Sequence, residues 1–298
     1  MVNLECENHG EHIRRALVRK SHAWSGLAAL TALLFLALTL PMLAQTIPAP
    51  ADSLIQDNSF LLEEAYNQED GVVQHISSLS RFWNSKDWIF TFTQEWAVPR
   101  HPRHQLSFSV AAVRGGGFIG SGVGFGDTAI NYRYQLVGSG ESRFAFSPRL
   151  SVLLPSGKPR FGRGAGGTSV QAGLPFSIGL RPYLTTHVNL GVSHTPRARN
   201  EFGDRASATA YNAAQSFVYS VHPRFNLMLE TVWTNSADVV APGATRRSND
   251  VLLSPGIRWS HNFASGLQIV PGVAVPVGVG PSAGERGLIL YLSFEHSL

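Results

Sequence analysis

The chain has 298 residues, of which 44% are hydrophobic and only 15% are charged. It contains 24 lysines and arginines against 20 aspartates and glutamates, which gives a net charge of +4, and it contains one cysteine. A single cysteine excludes a disulfide-stapled fold. A small positive charge without a basic cluster gives no reason to expect nucleic acid as a partner, because nucleic-acid binding needs basic residues gathered on one surface.

The N-terminal stretch has the layout of a secretory signal peptide. Basic residues between Arg14 and Lys20 precede Gly26–Leu40, an apolar run of 15 residues that Pro41 ends. An uncleaved membrane anchor would need about 20 apolar residues, and this run is shorter. We therefore expect export, with cleavage after Ala44.

The rest of the chain repeatedly alternates apolar and polar residues with period two, which is the pattern of strands with two unlike faces. In the closing stretch, residues 287–298, Leu290, Leu292 and Phe294 share one face, while Ser293 and Glu295 share the other. No later apolar stretch is long enough for a membrane helix. An exported protein this apolar and without helical spans is predicted to be a transmembrane β-barrel.

Twelve segments are predicted as strands. They are residues 72–83, 87–98, 104–114, 126–137, 143–154, 168–180, 183–194, 207–221, 224–235, 250–261, 267–277 and 287–298. Short turns between them alternate with longer Gly-, Pro- and charge-rich connections, which in bacterial outer-membrane barrels are the periplasmic turns and the external loops. We therefore predict an all-β fold, an antiparallel up-and-down barrel of about 12 strands in the outer membrane.

The last strand is expected to pair with the first, because closure removes the exposed apolar sheet edge. The closing stretch also resembles the C-terminal sorting signal of outer-membrane barrels, which implies the barrel-assembly machinery as a partner. The predicted organisation is a signal peptide (1–44), a periplasmic N-terminal segment (45–70) and an outer-membrane β-barrel (71–298).

Four stretches carry a resemblance to a known family. They are "SFLLEEAYNQEDGVVQHI" (59–76), "FGDTAINYRYQL" (125–136), "SPRLSVLLPSG" (147–157) and "LYLSFEHSL" (290–298). The chain resembles the outer-membrane transporters named for the MetA pathway of phenol degradation. The resemblance implies an outer-membrane channel or transporter for small solutes, aromatic or hydrophobic compounds among them. An outer-membrane barrel enzyme acting on lipid and a closed structural barrel are the alternatives.

The candidate residues of a solute pathway are at the positions of the predicted strands that face the barrel interior. Seven of them are charged: Glu95, Arg133, Arg143, Arg149, Glu230, Arg258 and Glu295. His75 and His187 are predicted on the same face. Charges in a barrel interior need partners, so these side chains either line a pore or form ion pairs that fill a narrow lumen.

The segment Ser59–Asp70 precedes the first strand and is predicted to begin with a short helix capped by Ser59. Its Phe60, Leu61 and Leu62 are too apolar for a simple solvated linker. We expect it to fold into the barrel mouth as a plug. The residues predicted to form the plug are Glu63, Glu64 and Tyr66, with Arg133, Arg143 or Arg258 as the partners of the two glutamates.

Little in the sequence indicates catalysis or a bound cofactor. Ser193 and His194 have no evident acidic partner, and no G-x-S-x-G stretch occurs. His101 and His104 lie in a predicted turn without a third metal ligand. We therefore predict no catalytic residue, no metal site and no cofactor. Arginines in the predicted external loops are expected to contact lipopolysaccharide phosphates, with outer-membrane lipid as the surroundings, or else to steer anionic solutes to the pore.

Overall fold

The computed structural model describes residues 55–85, 87–117 and 120–297, and the side chains of residues 115–121 are not included. The predicted signal peptide, residues 1–44, lies outside these ranges. The strand segments are β1 (Val72–Phe82), β2 (Trp88–Val98), β3 (His101–Gly117), β4 (Gly120–Phe125), β5 (Thr128–Tyr134), β6 (Phe144–Phe146), β7 (Arg149–Leu154), β8 (Ser169–Arg181), β9 (Leu184–Arg199), β10 (Arg205–His222), β11 (Phe225–Ala241), β12 (Ala244–Trp259), β13 (His261–Asn262), β14 (Gln268–Ala274), β15 (Val277–Gly278) and β16 (Gly287–Ser297).

These sixteen segments form a closed antiparallel barrel of twelve strands. Four barrel strands are each broken into two segments, namely β4 and β5, β6 and β7, β12 and β13, and β14 and β15. Two of the breaks contain Pro148 and Pro276, which have no N–H to donate to the ladder. Closure comes from β1 and β16, which pair from Val72 with Ser297 to Phe82 with Gly287. The predicted strand number and the predicted closure are both confirmed.

The two faces of the wall differ as the alternation predicted. Leu150 is 53% exposed on the outer face, whereas its neighbour Ser151 is fully buried on the inner face. Large apolar side chains cover the outside and polar side chains fill the inside, which is the arrangement of a barrel whose solvent is lipid. The described residues include no helix that is long and apolar enough to cross a membrane.

The two rims of the barrel differ in their connections. At one rim, the short-turn rim, two-residue turns follow Val98, Arg181 and His222. At the other, the hairpin rim, strands run past their predicted ends, so that most of the predicted loops 195–206 and 236–249 are paired strand. Both faces of these hairpins carry polar side chains. The apolar alternation therefore disappears there although the backbone pairing continues.

Residues 55–71, which we call the lumenal segment, run inside the barrel ahead of β1. The helix predicted from Ser59 is wrong, because this segment consists of irregular residues, bends and a turn. The hydroxyl of Ser59 does not cap a helix, but lies 3.5 Å from a Glu64 carboxylate oxygen and 3.3 Å from the Ser216 hydroxyl on the wall. The inward placement of His75 is also wrong. The side chain of Gln74 donates a hydrogen bond to Asp57 inside the barrel. Because successive residues of a strand face opposite sides, His75 faces outward.

Candidate functional site

Backbone groups of the lumenal segment are hydrogen-bonded by side chains of the wall. The N–H of Ala65 donates to Ser177 Oγ at 2.8 Å, and the Ala65 carbonyl accepts from Gln135 Nε2 at 2.9 Å. The N–H groups of Asn67 and Gln68 donate to wall glutamine side chains at 2.9 and 2.7 Å. Buried backbone groups need such partners, and here the wall takes the place of helical hydrogen bonds. This explains why the segment needs no helix to satisfy these backbone groups.

Arg258 joins the two halves of the segment from its place on β12. It is 1% exposed, and its guanidinium donates to the carbonyls of Asp57 at 2.6 Å and Asn58 at 3.1 Å. The same guanidinium contacts the Glu64 carboxylate at 3.0 Å. A buried ion pair contributes little net energy to stability, but removal of one partner costs about 3–5 kcal/mol because the other charge stays buried. Docking of the segment therefore depends on Arg258.

Two carboxyl groups of the segment lie in this buried cluster. Burial raises the pKa of Asp57 to about 6, although Arg258 and the Tyr291 hydroxyl, which donates at 2.6 Å, act in the opposite direction. Burial also raises the pKa of Glu64, again against the effect of Arg258. One guanidinium therefore serves two desolvated carboxyl groups, and each of them binds its proton more tightly than it would in water.

A second ionic cluster lies where the segment passes Arg133. Its guanidinium donates to the carbonyls of Glu64 and Tyr66 at 3.1 and 2.6 Å. It also lies 3.8 Å from the Glu63 carboxylate and 3.7 Å from that of Glu95. Glu63 pairs in addition with Arg149 on β7. The cluster links the segment to three barrel strands.

A notch in the wall receives Phe60. The notch is formed by Gly256 on β12 and Gly272 on β14, where an added Cβ would lie 2.6 and 2.5 Å from the Phe60 ring. Tyr291 packs edge-on against the same ring, with the ring centres 5.5 Å apart. Only glycine leaves room for an aromatic ring this close to the wall. Phe60 is thereby the apolar anchor of the segment.

The predicted site residues separate into two groups. Glu95, Arg133, Glu230 and Arg258 are buried in the lumen, and Arg149 is half-buried there. Glu230 accepts a hydrogen bond from the N–H of Leu61. Among the described residues, Arg143 and Glu295 form no hydrogen bond or ion pair with the lumenal segment. Arg143 is exposed and its Nε donates to the Gly179 carbonyl at 3.2 Å.

Tyr66 takes part mainly through its backbone and its ring. Its carbonyl accepts from Arg133, and its ring meets the ring of His187 edge-on at 6.0 Å. Burial raises the pKa of its hydroxyl to about 12. The sequence also predicted Gln135 on the inward parity, and it does face the lumenal segment. Sequence reasoning missed Asp57, which lies before the predicted plug, and the wall glutamine Gln105, for which the inward parity of its strand was the available signal.

Cavities lie on both sides of the segment, and two of them are found toward opposite rims. The larger, of about 320 Å³, opens toward the hairpin rim between Leu61, Leu62 and the wall hydroxyls of Ser78 and Thr91. The smaller, of about 140 Å³, lies toward the short-turn rim beside Gln74 and Glu295. The segment lines both cavities.

Ser177, His187 and Glu64 form a chain that superficially resembles a hydrolase triad. Ser177 Oγ lies 2.7 Å from His187 Nδ1, and His187 Nε2 lies 3.5 Å from a Glu64 oxygen. Ser177 is fully buried and already accepts a hydrogen bond from the N–H of Ala65. The hydroxyl is thus engaged with the segment and closed to a substrate. The arrangement serves to hold the segment.

Two solved structures show what the fold is similar to. One is the COG4313 outer membrane channel from Pseudomonas putida F1, at 12% identity and a TM-score of 0.60, covering 78% of this chain and 98% of that chain. The other is the NanC porin, at 10% identity and a TM-score of 0.52, covering 74% of this chain and 98% of that chain. At these identities the likeness shows the fold of an outer-membrane barrel. No curated protein matches the chain significantly.

A family model matches residues 65–278, from the lumenal segment to β15. That match covers well over half of the chain and includes most of the barrel. The protein lies in the outer membrane, as the closed barrel and its similarity to outer-membrane channels show. The chain belongs to the family described as "Putative MetA-pathway of phenol degradation".

Proposed function

We propose that this barrel is a channel or transporter for small solutes and that the lumenal segment is its plug. The carrying observation is that polar and charged wall residues hold the segment, with Arg258 and Arg133 donating to its backbone carbonyls. A barrel that served only as a structural element could fill its interior with interlocking wall side chains. The lumenal segment is instead held by hydrogen bonds and ion pairs, which water can replace when the segment leaves its position in the lumen.

The short-turn rim faces the periplasm in this proposal, and the hairpin rim faces the outside. This orientation follows the general pattern of bacterial outer-membrane barrels, whose turns are short and whose external connections are long. It places the end of the lumenal segment that leads into β1 at the periplasmic mouth. The external hairpins then present their arginines toward lipopolysaccharide or toward anionic solutes.

The solutes that fit this site best are small and partly apolar. The larger cavity combines apolar side chains, Leu61, Leu62 and Ile89, with hydroxyl groups of the wall. Such a surface favours compounds with an apolar body and one or two polar groups. Membership of a family named for phenol degradation supports the same choice.

Catalysis on lipid is the weaker alternative. Ser193 and His194 are consecutive residues of β9, so their side chains face opposite sides of the wall and cannot act as a nucleophile and its base. His194 instead lies 2.9 Å from the Thr209 hydroxyl. In the buried chain of Ser177 and His187, the carboxylate comes from the plug. Displacement of the plug would therefore remove the acid.

The proposal is tested by swelling of liposomes that contain the purified protein, with sugars and aromatic acids as solutes. We expect solute entry, faster after deletion of residues 55–70, and no hydrolysis of phospholipid. As an orientation control, cysteine at 199 should react with an impermeant maleimide on intact cells and cysteine at 222 should not. Two results would reject the function: no solute entry even after the deletion, or phospholipid hydrolysis that His187→Ala abolishes.

Docking of the plug is also predicted to depend on pH. Asp57 faces Arg258, Glu64 and Tyr291, and its pKa is raised from 3.8 to about 6. Because a raised pKa means that the docked state binds the proton more tightly, docking is strongest below pH 4 and weakens as the pH rises through 6. The pKa of Glu64 is also raised, so its ionisation likewise weakens docking as the pH rises.

We therefore expect single-channel conductance to rise between pH 4.5 and pH 7.5, and Asp57→Asn to flatten this profile. Asp70→Asn is the matched control, since Asp70 accepts from the Arg100 N–H at the rim. A profile that Asp57→Asn leaves unchanged would contradict the assignment.

A further inference from the structure

Two histidines lie side by side on the outer face of the seam that closes the barrel. His75 belongs to β1 and His296 to β16, and these strands pair along their whole length. The His75 ring stacks on the Phe294 ring with centres 4.8 Å apart, and on the His296 ring with centres 5.5 Å apart. Neither ring contributes to the lumenal site.

The ring nitrogens of the pair are arranged as those of metal-binding histidines are. The Nε2 atoms of His75 and His296 lie 3.4 Å apart. Nδ1 of His296 lies 2.8 Å from the backbone carbonyl of Ser297. A carbonyl can only accept, so Nδ1 carries the hydrogen and Nε2 presents its lone pair toward His75.

We propose that His75 and His296 bind a divalent transition-metal ion of the zinc, copper or nickel type between β1 and β16. Two imidazole nitrogens that bind one tetrahedral ion at about 2.0–2.1 Å lie roughly 3.3–3.4 Å apart, which matches the observed separation. A carbonyl that accepts from the far ring nitrogen is the usual outer partner of a metal-bound histidine. Imidazole is a preferred ligand of these ions.

The protein supplies two ligands, and water or a lipid phosphate supplies the others. No group of three or more His, Cys, Asp or Glu within the described ranges could hold a metal ion. The pair is near the short-turn rim, where Val72 and Ser297 end the ladder, so ions in solution can reach it. Both Nε2 atoms must carry no hydrogen to bind the ion, so the His75 ring binds with its hydrogen on Nδ1, and protonation of either ring to imidazolium competes with the ion. The affinity therefore falls in acid.

Such an ion would clamp the first strand to the last. Opening of the seam separates β1 from β16, so an ion bound to both strands stabilises the closed barrel by mass action. The alternative is that the pair makes only a hydrogen bond between its two rings. The two cases differ in whether added metal binds there and stabilises the fold.

The test uses full-length protein without a histidine tag, purified in detergent, and titrated with Zn²⁺ by calorimetry and with Cu²⁺ by electron paramagnetic resonance. We expect one ion per barrel, a copper spectrum with two nitrogen ligands, and a higher unfolding temperature in Zn²⁺. His75→Phe and His296→Phe, which keep the aromatic stack, should each weaken Zn²⁺ binding at least about tenfold.

His104→Phe is the matched control, because His104 lies beside His101 at the same rim with ring centres 6.2 Å apart. It should leave Zn²⁺ binding unchanged. Folding of every variant is checked by the heat-dependent gel mobility of the barrel, and either seam variant that folds suffices for the test. Zn²⁺ binding that survives both seam substitutions, or no Zn²⁺ binding by the parent protein, would overturn the proposal.

Discussion

Arg258→Met should release the lumenal segment and raise the single-channel conductance of the barrel at pH 7.5. The substitution leaves the Glu64 carboxylate, and with it Asp57, buried without a cation. Removing one partner of a buried pair costs about 3–5 kcal/mol. That cost shifts the ratio of docked to undocked segment by roughly two to four orders of magnitude. Planar-bilayer recording of the purified variant measures the change directly.

Arg143→Gln is the matched control for this experiment. Arg143 was predicted as another partner of the plug glutamates, but it is exposed and donates to the Gly179 carbonyl. Its replacement should leave the conductance at the parent level. Equal conductance of the Arg258 variant and the parent would show that the buried pair does not hold the segment, provided that the variant migrates as a folded barrel.

The barrel could be predicted from the sequence because two different solvents act on the two faces of every strand. Lipid selects apolar residues such as Leu150 on one parity, and the lumen selects polar residues such as Ser151 on the other. This alternation disappears where both faces of a strand are in contact with water. For this reason the hairpins beyond residues 195 and 236 were predicted as loops, although their backbones are paired.

The candidate site was less predictable. The alternation along a strand predicts which wall residues face the lumen, but it does not predict which of their side chains are in contact. Arg143 and Arg149 share a parity, yet only Arg149 pairs with Glu63. His75 was assigned to the wrong face because its stretch alternates poorly, and its neighbour Gln74 is the inward residue. Contacts between the lumenal segment and the wall join residues up to 234 positions apart, and a local pattern cannot show them.

The path of the segment also depends on partners that the local sequence does not contain. Ser59 and the following glutamates match the start of a helix, and an isolated peptide would have reason to form one. In the barrel, the N–H of Ala65 donates to Ser177, and the carbonyl of Ala65 accepts from Gln135. In a helix, both backbone groups would have partners within the segment. The wall therefore overrides the local preference, as tertiary contacts commonly do.

Gly272→Ala should also displace the segment, by a route that involves no charge. The added Cβ would lie 2.5 Å from the Phe60 ring, closer than carbon atoms can approach. Overpacking of this kind typically costs about 1–3 kcal/mol, so we expect a smaller rise in conductance than Arg258→Met produces. Gly173→Ala is the control, because its Cβ would meet only ordinary contacts with Arg149 at 3.9 Å and beyond.

The second half of the experiment combines Gly272→Ala with Phe60→Ala. Phe60→Ala alone removes the anchor and should raise the conductance, since loss of a buried phenylalanine costs about 3–5 kcal/mol. The double variant should then conduct like Phe60→Ala alone, because the added methyl no longer meets a ring. Such non-additivity is the signature of two residues in direct contact. Additive effects of the two substitutions would instead mean that Gly272→Ala acts through the nearby Ile257 carbonyl of the wall, 3.2 Å from the added Cβ.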